Sequence, residues 1–211
     1  MLVSSLIDRV DVSGGYVLVE KIEKMSSERP LMDILSAFNR LPILMKNKSP
    51  PKELQSISDK LKDEFDSDLS VLFRLLPNMS AIFPNFDKPT VKAVTEQAMS
   101  LHNVSFTLQR FLKIASSKLH PVMLFLDDIH WAGSTTLQLI ERLLCDQRNS
   151  TCFMFVGSYR SNEVTDSHPL FKLLASARSC DIGATSLNLD GLCKDDLNQM
   201  LVSVEHLLLL F

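Results

Sequence analysis

Hydrophobic positions along this chain alternate between two spacings, and the alternation lays out the elements. Leu2, Val3, Leu6, Ile7 and Val10 recur at intervals of three and four, which predicts a helix already under way at the second residue. Gly14 and Gly15 end it, and "YVLVEKI" reads as a short strand. Pro30 can open a helix with Leu31, Ile34, Leu35, Phe38 and Leu41 on one face. From Lys46 the chain is rich in lysine, serine and proline, then helical in pattern through "LQSISDKLKDEF" and "LSVLFRLLPNMSAIF", so residues 46–90 read as a helical insertion. Another long helix is expected over residues 91–118, with Val104, Leu108, Phe111, Leu112 and Ala115 as its inner stripe.

Pro121 then sets up the apolar strand "VMLFL", followed by a helix over Thr135 to Cys145 and a second near-continuous apolar strand, "CFMFVGSY". Pro169 opens a helix with Leu170, Leu173, Leu174 and Ala177 inward. "TSLNLDGL" alternates as a further strand, and the tail "KDDLNQMLVSVEHLLLLF" is helical in pattern. Strands that are apolar on both faces and alternate with helices imply a parallel sheet covered on both sides, an α/β fold.

Composition narrows the function. The chain has 211 residues, 45% of them hydrophobic, enough for one good core. A net charge of −3 with acids and bases interspersed leaves no electrostatic footprint for nucleic acid or anionic membrane, and Arg110, Lys118 and His120 read as ordinary surface charge. Cys145, Cys152, Cys180 and Cys193 form no CxxC pair, so neither a zinc site nor a disulfide framework is expected. No apolar run approaches the roughly 20 residues of a membrane span. A reduced, cytoplasmic setting is the expectation.

The chemistry concentrates in "VMLFLDDIHWAGSTTLQLIERLL". In an open parallel sheet, ligands gather beyond the carboxyl ends of the strands, where Asp127 and Asp128 fall. One carboxylate there can hold Mg²⁺ through water while its neighbour polarises an attacking water. The plainer reading is a solvated turn leading into the next helix. Receiver domains also pair acids at a strand end, but at their first strand. Trp131 reads as a packing anchor and His130 as a satisfied structural histidine. Ser134, or Thr135 in capping-box spacing with Gln138, could cap the helix. Arg160 reads either as a site residue or as a surface arginine pairing with Glu163.

The same stretch resembles the Walker B region of the STAND and Orc1-like AAA class of P-loop ATPases, where an apolar strand precedes Asp-Asp and a turn with Trp-Ala. "FVGSYRSNEVTDSHPL" is similar to that class's next strand and sensor-1 arginine loop, and "SLNLDGLCKDDLNQML" to the strand and helix after it. Upstream, "GGYVLVEKIEKMSSERPLMDILSAFNRL" looks like the segment after the P-loop helix, and "VSFTLQRFLKIASS" like the helix before Walker B. The resemblance implies an ASCE-type parallel sheet binding ATP and Mg²⁺. Asp127 would then assist the metal, Asp128 would orient the hydrolytic water and Arg160 would sense the γ-phosphate. Gly133 departs from the acidic residue often found at its position.

The phosphate cradle of that class, G-x-x-x-x-G-K-[ST], is not in this sequence: none of its six glycines is followed by lysine. The alignment puts Met1 just past that loop. The expectation is therefore a partial domain over residues 1–211, lacking the Walker A segment and its strand, that binds ATP weakly, with two apolar strand edges left unpaired. Two functions compete. One is the nucleotide-binding regulatory domain of a larger signalling protein, joined to kinase or cyclase regions. The other is a non-enzymatic interaction module on a degenerate ATPase fold.

Overall fold

Three parallel strands run through the middle of the chain: β1 (Tyr16–Lys21), β2 (Val122–Asp127) and β3 (Phe153–Gly157), in the order β1-β2-β3. The structure is a computed structural model and describes residues 2–24, 31–84, 100–145, 152–165, 167–180 and 183–189. Around the sheet lie α1 (Leu2–Val12), α2 (Met32–Lys48), α3 (Pro51–Phe65), α4 (Leu69–Leu75), α5 (Leu101–Ala115), α6 (Ser134–Leu144) and α7 (Pro169–Ser179). The expected α/β fold, a parallel sheet flanked by helices, is the observed one.

β2 is the central strand and the most buried, with Val122, Met123, Leu124 and Leu126 inaccessible to solvent. Parallel strands need both faces covered, which explains why its sequence is unbroken by polar residues until Asp127. β3 carries a similar apolar run but is mostly half-buried, because among the described residues its only strand partner is β2. Arg40 of α2 donates to the Val19 carbonyl at 2.7 Å and pairs with Glu20 at 3.0 Å, occupying a group that points away from β2.

The turn from α1 into β1 depends on glycine. Gly14 sits at φ 86°, and a Cβ on Gly15 would lie 2.6 Å from Val10 Cγ1 and 2.9 Å from the carbonyl oxygens of Val10 and Pro121. Tyr16 follows, fully buried, with its hydroxyl 2.8 Å from Ser49 Oγ. Burial pushes that hydroxyl above its ordinary pKa of 10.0, the Ser49 bond opposing and Glu53 adding.

Residues 51–84 share the sheet's core. Leu61, Phe65, Leu72, Leu76 and Met79 belong to the same buried cluster as Tyr16, Leu18 and Leu124. Asn78 fastens this segment to α2, its amide donating to Asn39 Oδ1 at 2.8 Å and its side chain to the Asn39 carbonyl at 2.9 Å.

Several expectations are corrected. Arg110 is not ordinary surface charge: its guanidinium lies 4.3 Å from the Phe65 ring centroid and bonds Glu64 and Asp68. His120 stacks on Tyr16, bonds the Gly14 carbonyl at 2.7 Å and reaches Glu53 at 3.3 Å, because its loop folds back over the α1–β1 turn. Cys145 and Cys180 are disulfide-bonded, since α6 and α7 pack side by side and bring their C-terminal ends together, whereas Cys152 is free. Neither Ser134 nor Thr135 caps α6; Gly133 occupies the cap position and no side chain bonds there. The helix predicted over 91–118 is described from Leu101 to Ala115. Residues 185–189, the described part of the expected "TSLNLDGL" strand, carry no regular structure, and Leu187 and Leu189 are exposed. Pro30 and the tail helix lie outside the described residues.

Two outcomes are predicted. Gly15→Ala overpacks a backbone contact and should lower stability by about 1–3 kcal/mol in urea unfolding, whereas the same change at Gly183, with nothing within 4 Å, should not. Reducing the Cys145–Cys180 bridge, which spans 35 residues, should cost roughly 2–4 kcal/mol on the same measurement.

Candidate functional site

The carboxyl ends of all three strands meet in one cluster of charge. β1 pairs with β2 in a register that sets Lys21 opposite Asp127, and β2 pairs with β3 so that Leu126 faces Gly157. Parallel strands end on the same side, so Lys21, Asp127, Asp128 and Ser158 arrive together. This is the expected location of the paired acids.

The chain turns sharply straight after β2. Asp128 adopts the left-handed conformation, φ 56° and ψ 40°, and leads into a short 3₁₀ turn over Ile129–Trp131. Asp is one of the few residues with a side chain that visits this region readily. Past the kink the two carboxylates share Lys21 but differ in exposure. Asp127 stays 40% exposed, while the Asp128 side chain is 10% exposed and points between two cations: Lys21 Nζ at 3.1 Å and Arg160 Nε at 3.8 Å.

Ser158 holds both acids. Its hydroxyl donates to Asp127 Oδ1 and accepts the Asp128 backbone N–H at 3.1 Å. Its carbonyl takes the Ile129 N–H at 2.9 Å, and its own N–H closes the ladder to Leu126 at 3.0 Å. One residue past the end of β3 thus fixes the turn past the end of β2.

Arg160 makes the expected pair with Glu163, donating at 2.9 Å, and it also lies 3.8 Å from Asp128, with its guanidinium 5.8 Å from the Trp131 ring centroid. Partial desolvation raises the Glu163 carboxyl, but hydrogen bonds from Arg160 and Trp131, with the neighbouring Arg160 and His130, outweigh it and leave the group below its ordinary value. His130 is buried, yet among the described residues it is not fully satisfied: Nδ1 has no hydrogen-bond partner there, and Nε2 lies 3.2 Å from Glu163 without hydrogen-bond alignment. His168 caps α7 by accepting the Leu170 N–H at Nδ1, so its Nε2 carries the proton it shares with the His130 carbonyl at 3.0 Å.

Lys21, Ser158 and His168 were not anticipated. Lys21 becomes visible only once the register places it beside Asp127. Ser158 had a usable signal, a lone hydroxyl residue at the end of an apolar strand next to the acid-bearing one.

The profile of the AAA ATPase domain family matches residues 1–156. The chain belongs to that family. No curated protein and no solved structure matches it. The AAA ATPase domain match takes in both acids and Lys21 and stops just short of Ser158, Arg160 and Glu163.

ATP and Mg²⁺ are the ligands of AAA ATPase domains, and the residues here fit them unequally. Asp127 is 40% exposed, with Oδ1 held by Ser158 and Oδ2 3.9 Å from Lys21 Nζ, and no group of three or more His, Cys, Asp or Glu able to hold a metal ion gathers among the described residues. Two cations, Lys21 and Arg160, stand beside the acids, but the sequence offers no glycine-rich loop followed by lysine and Ser/Thr.

The left-handed turn yields a prediction. Asp128→Asn should be tolerated because asparagine also accepts this conformation, while Asp128→Val should cost about 1–2 kcal/mol more in urea unfolding.

Proposed function

We propose that this chain is the Walker B and sensor-1 part of a STAND or Orc1-like AAA domain, a nucleotide-dependent regulatory unit of a larger signalling protein. The observation that supports it is the convergence of Asp127, Asp128 and Arg160 at the carboxyl end of a parallel sheet, with Lys21 as a second cation. In this reading Asp127, steadied by Ser158, supports Mg²⁺ through water. Asp128 orients the attacking water, and Arg160 contacts the terminal phosphate. Bound Mg²⁺-ATP would supply the cleavable anhydride and its negative charge.

The chain's own part is electrostatic. Lys21 and Arg160 neutralise Asp128 when no anion is present, and an entering phosphate competes for the same two cations. Release of the Asp128 carboxylate then depends on nucleotide, which suits a switch better than a fast hydrolase. Kinase or cyclase regions are the proposed neighbours, and the cytoplasm is the proposed setting. There the Cys145–Cys180 bridge would face reducing pools. Among the described residues no helix is long and apolar enough to cross a membrane.

One observation favours the interaction-module reading. Among the described residues the outer edge of β3 has no strand partner. Calorimetry with Mg²⁺-ATP separates the two. The regulatory-ATPase reading predicts binding weaker than micromolar by this chain, and tight binding once a G-x-x-x-x-G-K-[ST] loop precedes α1. In that second protein Asp128→Asn should slow hydrolysis by tenfold or more with little change in affinity. Unchanged turnover would remove Asp128 from the mechanism, and no binding by either protein would favour the interaction module.

A further inference from the structure

Glu163 joins the loop after β3 to the turn after β2. It ends the short turn Ser161–Glu163 that follows β3, and its partners come from elsewhere. Oε1 accepts Arg160 Nη1 at 2.9 Å. Oε2 accepts Trp131 Nε1 at 3.3 Å and lies 3.2 Å from Nε2 of the buried His130. Trp131 and His130 belong to the turn that begins at Asp128, so one carboxylate links the arginine's loop to the acid's turn.

An isolated, exposed arginine–glutamate pair three residues apart holds little, because two flexible side chains lose their freedom for a screened attraction. Here the glutamate is itself anchored. With Oε2 held by the indole N–H, Oε1 is presented in one place, and the guanidinium that bonds it is set over the indole face, 5.8 Å from its centroid, and 3.8 Å from Asp128. Arg160 is 57% exposed, so nothing else buries it into this position.

We propose that Glu163 is a positioning residue for Arg160: it clamps the guanidinium between the Trp131 face and the Asp128 carboxylate, so that a cation stands ready at the carboxyl end of the sheet. The idea deepens the functional reading, since the anion expected there is a polyphosphate. The clamp itself exists without nucleotide and is tested without it.

Trp131 is the only tryptophan in the chain, so its emission and its quenching by acrylamide report on this cluster alone. The full chain is compared with Glu163→Gln, Arg160→Gln and the double variant, far-UV circular dichroism confirming the fold of each. The clamp predicts that each single change raises acrylamide quenching of Trp131 by about twofold and that the double change adds nothing further, the two residues acting as one unit. Raising salt to about 1 M should move the wild-type chain toward the variants and leave the variants unmoved. Glu163→Gln indistinguishable from wild type, or single effects that simply add, would overturn the proposal. If Glu163→Gln does not fold, the salt series on the wild-type chain decides, and quenching independent of salt refutes the clamp. Failure of the nucleotide reading shows instead in the calorimetry and leaves these outcomes untouched.

Discussion

A carboxylate that is nearly buried needs partners, and Asp128 has two, Lys21 from one neighbouring strand and Arg160 from beyond the other. That requirement organises this end of the molecule. β1 must end in a lysine in register with β2, the chain must turn left-handed at Asp128 to aim the side chain inward, and the loop after β3 must bring its arginine back over the same point. Ser158 serves the same end from the backbone side, taking the Asp128 N–H and fixing Asp127 in one gesture. Asp127 stays 40% exposed near Lys21, while the nearly buried Asp128 lies between Lys21 and Arg160.

The sheet beneath is built to carry such a site. β2 is buried on both faces and paired on both edges, so the acids rest on the most rigid strand available. On one outer edge Arg40 bonds the Val19 carbonyl, whereas along β3 no strand pairs with the other edge among the described residues. Ser158 and Arg160 follow directly from that edge strand.

Periodicity made the scaffold legible. The stripe Ile34, Leu35, Phe38 and Leu41 is buried as expected, as are Val104, Leu108, Phe111 and Leu112, and the apolar run before Asp127 is the central strand. These patterns record burial, and burial is what hydrophobic spacing encodes. The acids at the strand end were legible too, since a parallel sheet fixes where such residues must lie. What escaped were contacts between residues far apart in sequence: Lys21 with Asp128, Ser158 with both acids, Arg110 on Phe65, His120 on Tyr16, and the bridge between Cys145 and Cys180. Apart from Ser158, a hydroxyl residue at the end of an apolar strand, none leaves a local trace, because each depends on how segments far apart in sequence come to lie side by side. The alternation in "TSLNLDGL" misled for the opposite reason. Alternating residues make a strand only where an edge accepts them, and residues 183–189 lie in no sheet.

The most direct test of this account is a pair of double-mutant cycles in urea unfolding at low salt, crossing Asp128→Asn with Lys21→Met and with Arg160→Met. An acid held between both cations predicts coupling of about 0.5–1 kcal/mol with each. Strict additivity in both cycles would mean that Asp128 is not the centre of this site, and the reading built on it would be wrong.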